Sequence, residues 1–289
     1  MSLIGTLTSG VSSLNAFTKS LETIGNNIAN VNTTGFKGSR VSFSDSFSNT
    51  LRGSTPASGV ASNLTAEQVG TGVRISHVEA QFTQGSLTTT GLNTDLGISG
   101  NGFFVVRNPV DGNQYVTRAG DFRTDSNGYI VTAQGYRLQG LIGGTTSAAP
   151  ATLGDIKLGT PPSGTELSSF SFDRLGNLVE FYSDGSSTTT NKVLLQNFSD
   201  STALVKYGDN LFTGMAAAGP IGGLTLSASN NSAGASGLGY IEGGTLELSN
   251  VDLTDEFANM ITTQRSFQAA SRLITTSDEV LQEIVNLKR

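Results

Sequence analysis

The sequence predicts a mixed α and β protein, with coiled-coil-like N- and C-terminal helices joined to a mainly antiparallel β body. Two observations carry that prediction. Apolar residues recur every seven positions near both ends, the pattern of helices packed along a seam. Between them the chain changes to short runs rich in Val, Ile, Phe, Tyr and Thr, separated by Asn-Gly, Asp-Gly and Gly-Gly pairs, the pattern of β-hairpins.

In the N-terminal part, Leu7, Leu14, Leu21 and Ile28 form one row, and Phe17, Ile24 and Val31 lie three residues after the last three. This spacing predicts a helix that stops at Thr33-Thr34-Gly35, where β-branched residues and a C′-type glycine end it. From Leu51, "LRGSTPASGVASNLTAEQ" lacks periodicity and reads as a linker. The strand-like runs follow, among them "GVRISHVEAQF", "GNGFFVVRNPVDGNQYVTRAGDF", "DSNGYIVTAQGYRLQGL", "SSFSFDRLGNLVEFYSDGS" and "NKVLLQNF". "GGTTSAAPATLG" from Gly143 reads as an insertion, and "GMAAAGPIGGLTLSASNNSAGASGLG" from Gly214 as a long surface loop. The second helix carries Leu253, Met260, Phe267, Ile274 and Leu281 seven apart, Leu273, Val280 and Leu287 on the adjoining row, and Ile284 three residues after Leu281. Thr254 and Asp255 are placed to cap it, with Asp255 and Glu256 in the first turn where the helix dipole favours acid. The expected organisation is a helical terminal domain of 1–36 and 251–289, a linker over 37–70, a central β domain of 71–142 and 191–250, and a β insertion or reduced outer domain over 143–190.

Composition narrows the function. At 289 residues the chain is long enough to bury a core. With no cysteine, disulfides, thiolate catalysis and sulfur-ligated metals are excluded. The Ser/Thr/Gly-rich makeup resembles an extracellular protein, and without oxidative folding it points to export in an unfolded state. The opening "MSLIGTLTSG" lacks a basic n-region and an apolar core, so no cleaved leader is expected. No apolar run approaches the roughly 18 residues of a membrane span, so no membrane insertion is expected. A formal charge of -6 with scattered Lys and Arg argues against nucleic-acid binding.

Candidate chemistry is sparse. The single histidine, His77, lies in the strand-like "RISHVEA", so a multi-histidine metal site is excluded and a serine triad would rest on that residue alone. A strand residue with one hydrogen bond is the simpler reading. "DSNGY", Asp125 to Tyr129, resembles the middle of a calcium loop. The twelfth position, counted from Asp121 or Asp125, is Thr132 or Tyr136 rather than the required Glu, so a β-turn is expected. The glycines of "GISGNGFF", Gly97 to Phe104, precede no helix and fail the phosphate-loop context. Paired carboxylates for glycoside hydrolysis are joined only in space, and the chain has no Trp to line a sugar cleft. No catalytic residue, cofactor or metal is expected. An extracellular glycan-active or adhesive β protein is the reading from a different class.

The end of the first helix poses the sharper question. Gly25, Asn26, Asn27 and Asn30 fall off the seam and around the remaining faces, and each costs roughly 0.5–1 kcal/mol of helix propensity relative to Ala. Glycine admits a close backbone, and an asparagine amide both donates and accepts, so these faces are expected to pack against neighbouring chains. Seven seam residues supply about 10–20 kcal/mol when fully buried, whereas ordering some thirty residues costs about 1–2 kcal/mol apiece. One seam therefore does not order this helix alone. The ends are expected to order on assembly, with pairing of the two helices inside one chain as the alternative. The expected subunit interface is the N-terminal rows, these four Gly and Asn residues, Leu253, Met260, Phe267, Ile274, Leu281 and Ile284.

"LETIGNNIANVNTTGFKGSR" closely resembles the N-terminal signature of the flagellar axial proteins, the rod and hook subunits. The resemblance extends to "GNGFFVV", "YVTRAGDFRTDSNGYIVTAQGYRLQG", "GDNLF" and "SNVDLTDEFANMITTQRSFQAASRLITTSDEVLQEIVNLKR". Within the family, "GFKGSRVSFSDSF", "YRLQG" and the closing run are most similar to the hook subunit in a short form, with the distal rod subunit as the alternative. The resemblance implies export through the flagellar type III apparatus without a cleaved signal. It also implies assembly with itself into a helical homopolymer, a hollow tube at the cell exterior. Terminal helices line the channel and β domains form the outer layer. It further implies contacts with other axial proteins at the tube ends (distal rod and hook–filament junction), the hook cap and the export apparatus. A hook would be a flexible universal joint and a distal rod a stiff drive shaft. The segment Lys37 to Gln68 is the expected controller of that stiffness.

Overall fold

The computed structural model describes residues 3–54, 56, 63–143, 152–162 and 164–287. The chain forms two compact units: Met1–Ala29, Ser39–Gln81 and Asp252–Arg289 make one, and Asn30–Gly38 with Phe82–Val251 makes the other.

The first unit is built on two helices, α1 (Leu3–Ala29) and α2 (Leu253–Leu287). They run antiparallel in one chain: Thr6 Oγ1 lies 3.4 Å from Ser277 Oγ, and Asn27 Nδ2 donates to Glu256 Oε1 at 2.8 Å. Between these points a Cβ added to Gly10 would fall 2.8 Å from Ile274 Cγ1, so the helices approach closely where α1 has no side chain. Pairing within one chain is therefore the arrangement found. The energetic estimate from sequence counted a single seam and left out what α2 and the adjoining ribbon add.

Two helix boundaries differ from the sequence reading. α1 ends at Ala29, and Asn30 begins a turn whose carbonyl accepts the Thr33 N–H at 3.1 Å. Asn and β-branched Thr favour turns over helix interiors, so Val31 lies beyond the helix. At α2 the cap is Asp252, not Thr254 or Asp255: its Oδ1 accepts the Thr254 N–H at 2.7 Å and its carbonyl begins the helix ladder at Glu256. Asp255 and Glu256 do occupy the first turn.

The expected linker is strand. β1 (Ser39–Asp45) pairs antiparallel with β4 (Val73–Ala80) across a bulge at Ser42/Phe43, and β2 (Ser48–Arg52) pairs with β3 (Glu67–Gly70). Bonds from Ser46 N–H to Gly72 O and from Thr71 N–H to Phe47 O join the pairs into one ribbon. It packs on α1 through the Phe17–Phe43 edge contact, with centroids 6.2 Å apart, and through Ser12 Oγ, which accepts the Val73 N–H. Residues 55 and 57–62 of that expected linker lie outside the described residues.

The second unit is a β body. Among the described residues it holds a twelve-stranded sheet whose main path runs through strands at 167–172, 177–182, 187–193, 137–142, 103–107, 114–117, 211–213 and 205–208, all antiparallel. Alternation along Phe103–Arg107 explains its two-sided burial: Phe104 and Val106 enter one apolar cluster, Phe103 and Val105 the other. The expected insertion is integral to this sheet, because Thr152–Asp155 pairs with Arg137–Ile142 and 167–193 continues the path. Residues 144–151 and 163 lie outside the described residues. The expected surface loop from Gly214 also turns inward, burying Ala218, Leu226, Asn231, Ala233 and Leu238. Asn231 makes this affordable: it donates to Leu195 O and Gln196 Oε1 and accepts the Ser227 N–H.

Asn27→Ala removes three buried or half-buried hydrogen bonds, to Ser39 N–H, Ser39 O and Glu256, so a loss of about 1–3 kcal/mol is expected. Urea denaturation followed by helical circular dichroism measures it.

Candidate functional site

The signature segment is held inside the β body by backbone and charge. Gly35 takes φ +65°, and a Cβ there would fall 2.5 Å from Ala119 N, so only glycine permits the approach. Its N–H donates to Glu247 O at 2.7 Å, the Gly38 N–H to Asn250 Oδ1 at 2.9 Å, and the Asn250 N–H to Phe36 O at 3.4 Å. Asp209 and Asn210, with φ 49° and 57°, form the two-residue loop between the strands Val205–Gly208 and Leu211–Thr213, the left-handed pair of a type I′ hairpin. That turn aims the Asn210 amide at Thr34 O, 2.8 Å away. Lys206 Nζ donates to Lys37 O at 2.8 Å and sits 4.6 Å from the Phe36 ring centroid.

At the centre lies a buried ionic cluster. Lys37 Nζ donates to Glu247 Oε1 and to Thr83 O, each at 2.7 Å. Arg118 Nη1 donates to Glu247 Oε2 at 3.2 Å, its Nη2 to Gly100 O at 2.9 Å, and its guanidinium stands 5.1 Å from the Phe103 ring centroid. Glu247 Oε1 also accepts the Gly85 N–H. The side chains of Lys37 and Glu247 are fully buried and that of Arg118 is 5% exposed. Two cations thus share one carboxylate. Burial pushes Lys37 below its ordinary value and Glu247 only partly restores it; burial likewise lowers Arg118.

Sequence reasoning missed this cluster, because its members are lone charges in the segments 34–38, 117–121 and 245–248. The one available signal is in "TLEL". Glu247 is buried whereas Leu248 is exposed, an inverted alternation that marks a strand with a polar interior demand.

The residues singled out for chemistry resolve into structure. His77 is exposed on β4, with Nδ1 3.2 Å from Ser76 Oγ and Nε2 3.5 Å from Glu79 Oε2. Its serine neighbour is the adjacent residue, with no triad geometry. Asp125 accepts from Ser126 N–H, Ser126 Oγ and Asn127 Nδ2 around a turn closed by Gly128 N–H to Asp125 O. The Ser126 backbone bond leads in holding its carboxyl below the ordinary value. Gly100 and Gly102, with φ 110° and 128°, turn the chain between the strands Leu96–Ser99 and Phe103–Arg107.

The expected interface residues divide between two faces of the helical unit. On α1, Ile24 is buried and Leu7, Leu14, Phe17, Leu21 and Ile28 are half-buried, as is Val31 beyond it. Asn27 is the correction: expected on an outer face, it is 3% exposed because its amide is consumed by Ser39 and Glu256 of its own chain. Gly25 has open space where its Cβ would be, Asn26 is exposed, and half-buried Asn30 accepts from Thr33 Oγ1. On α2, Met260, Phe267, Ile274 and Leu281 are half-buried, in one row with Thr263, Ala270 and Ser277. Leu253 and Ile284 are exposed, together with Phe257, Ile261, Leu273 and Val280.

The fold is thus a pair of long antiparallel helices, with large apolar side chains exposed along α2, and a separate β body. Comparison with known proteins gives the family. A model described as "Flagella basal body rod protein" matches residues 7–37, one described as "Flagellar hook protein FlgE/F/G D1 domain" matches 97–180, and one described as "Flagellar basal body rod FlgEFG protein C-terminal" matches 242–287. The chain is 39% identical to the flagellar basal-body rod protein FlgG of Bacillus subtilis (strain 168), covering 99% of this chain and 100% of that protein. It is 32% identical to FlgG of Borreliella burgdorferi, covering 98% of each. It is 26% identical to the flagellar hook protein FlgE of that organism, over 450 aligned residues covering 99% of this chain and 100% of that protein. The chain belongs to the flagellar basal-body rod and hook protein family, a family of axial structural proteins, not enzymes.

Glu247→Ala strands Lys37 and Arg118 without an anion, and a loss of about 3–5 kcal/mol is expected in denaturant melts. Lys37→Met leaves the neutral Arg118–Glu247 pair and costs far less. The same pair of melts run against pH gives a second readout. Lys37 is lowered from 10.5 in the fold, so between its native value and 10.5 the unfolded chain binds the extra proton. Its contribution to stability therefore rises with pH across that window, and Lys37→Met flattens that slope.

Proposed function

We propose that the chain is a distal rod subunit of the flagellar basal body, polymerising with copies of itself into a stiff hollow tube that transmits motor torque. The observation that carries this reading is the contrast within one organism. The Borreliella burgdorferi rod protein is 32% identical over 292 aligned residues, and its hook protein is 26% identical over 450. Against 289 residues here, the longer alignment means extra length in that hook protein. The sequence reading favoured a short hook subunit; the end-to-end match to rod proteins supports the alternative better. The integral place of 167–193 in the body sheet also supports a chain with no separate outer domain between those positions.

Assembly proceeds through the faces the single chain leaves open. Each of Leu253, Phe257, Ile261, Leu273, Val280 and Ile284 is at least 40% exposed, and each contributes about 1.5–3 kcal/mol when fully buried. Gly25, with open space at its Cβ, and exposed Asn26 are the further candidates on α1. Contacts between unlike faces of successive copies build open helical arrays. The ribbon β1–β4 is the candidate for stiffness control: Phe47 and Leu51 are 73% and 62% exposed, and an isolated two-stranded ribbon is marginal without a partner. Other axial proteins at the tube ends and the export apparatus are the further partners, with delivery to the cell exterior without a cleaved signal.

Electron microscopy of polymer grown from purified subunit tests the reading: straight, stiff tubes are expected, and curved, flexible ones return it to the hook. Phe257→Asp with Ile284→Asp is expected to abolish polymer while the monomer keeps its circular dichroism. Replacing residues 39–70 by the matching segment of a hook subunit is expected to introduce curvature, and unchanged stiffness would remove the ribbon from this role.

A further inference from the structure

We propose that the Lys37–Glu247–Arg118 cluster is a closure lock. The β body completes its fold only when residues 245–250 reach the signature segment from the other end of the chain. The sheet does not need these residues, since its main path lies between Phe103 and Thr213. The signature does need them. Gly35, Phe36, Lys37 and Gly38 each bond Glu247 or Asn250, and the Lys37–Glu247 pair spans 210 positions. Such non-local closure is intrinsically late. Charge makes it conditional. Before Glu247 arrives, docking the signature would bury Lys37 beside Arg118 with no anion, a cost that leaves the segment in water. Once Glu247 is in place, one carboxylate pairs with both cations, and the carbonyls of Thr83 and Gly100 each take one further donor.

The consequence reaches the helices through the chain itself. Asn30 follows the last residue of α1, and Asp252 caps α2 immediately after Val251. Fixing 35–38 against 247–250 therefore anchors both helix roots at once. A chain still lacking its far end has neither root anchored. This last step rests on the polymer reading, because it delays the assembly surfaces until the chain is complete; the lock itself does not.

Pulsed hydrogen exchange during refolding of the full chain, read by fragment mass, tests the order. Peptides covering 30–38 and 245–250 are expected to gain protection together, after those covering 103–107 and 137–142. Protection of 30–38 before 245–250, or in step with the sheet, overturns the proposal. At equilibrium, Glu247→Gln is expected to speed exchange in 30–38 by at least about tenfold with sheet protection unchanged, and Lys37→Met to leave it within about threefold. Equal effects of the two would mean an uncharged anchor and overturn the lock. If Glu247→Gln does not fold, the refolding order of the unmodified chain still decides.

Discussion

The seating of the signature segment in the β body depends on one carboxylate serving two buried cations. Glu247 gives the signature segment both its charge partner at Lys37 and the backbone carbonyl that accepts the Gly35 N–H. Buried ion pairs add little net stability when compared with apolar replacements. The cluster is better understood as specifying geometry. Apolar packing alone would tolerate several placements of Phe36, whereas two donors and one acceptor of fixed direction tolerate one. The glycine at 35 and the left-handed Asp209-Asn210 turn serve that placement, each adopting a backbone that ordinary residues avoid.

This arrangement gives common cause to motifs that look unrelated in sequence. "NTTGFKG" supplies the segment, the Arg118 of "TRAGDF" the second cation, "GDNLF" the turn that bonds Thr34 O, and "GTLELSN" the anion and Asn250. They fall in four separate stretches of the chain, so their shared purpose becomes visible only once the topology brings them together.

Legibility followed periodicity. Seven-residue rows gave both helices, and Asn-Gly and Asp-Gly pairs gave the turns at 108–113, 125–128 and 182–186, because these signals are local. The linker at 37–70 was misread because the outer part of the ribbon, β2 with β3, is largely exposed and has little inside to enforce alternation. Phe47, Asn49 and Leu51 are all exposed on one strand or its approach. The loop from Gly214 was misread for the opposite reason: its inward residues are held by the amide of Asn231, and composition gives no hint of which asparagine in a run of polar residues is buried. Asn27 repeats the lesson on a helix. The heptad wheel placed it outside, yet a buried amide with three bonds in its own chain outweighs an apolar pattern.

The side chains of the helical unit are distributed in a way that fits the proposed assembly. In a self-sufficient helical pair the largest apolar side chains fill the seam and polar ones face water. Here the positions most buried on α1 include Gly10, Ala16, Ser20 and Asn27, while α2 turns Phe257, Ile261, Val280 and Ile284 outward. Small residues at the seam let the two backbones approach, as at Gly10 against Ile274, with Ile24 buried further along α1. The larger side chains remain available on the outer face. On the proposed reading, small residues on α1 let the chain pair its own two ends closely, and the large side chains still exposed on α2 are the ones that neighbouring copies would cover.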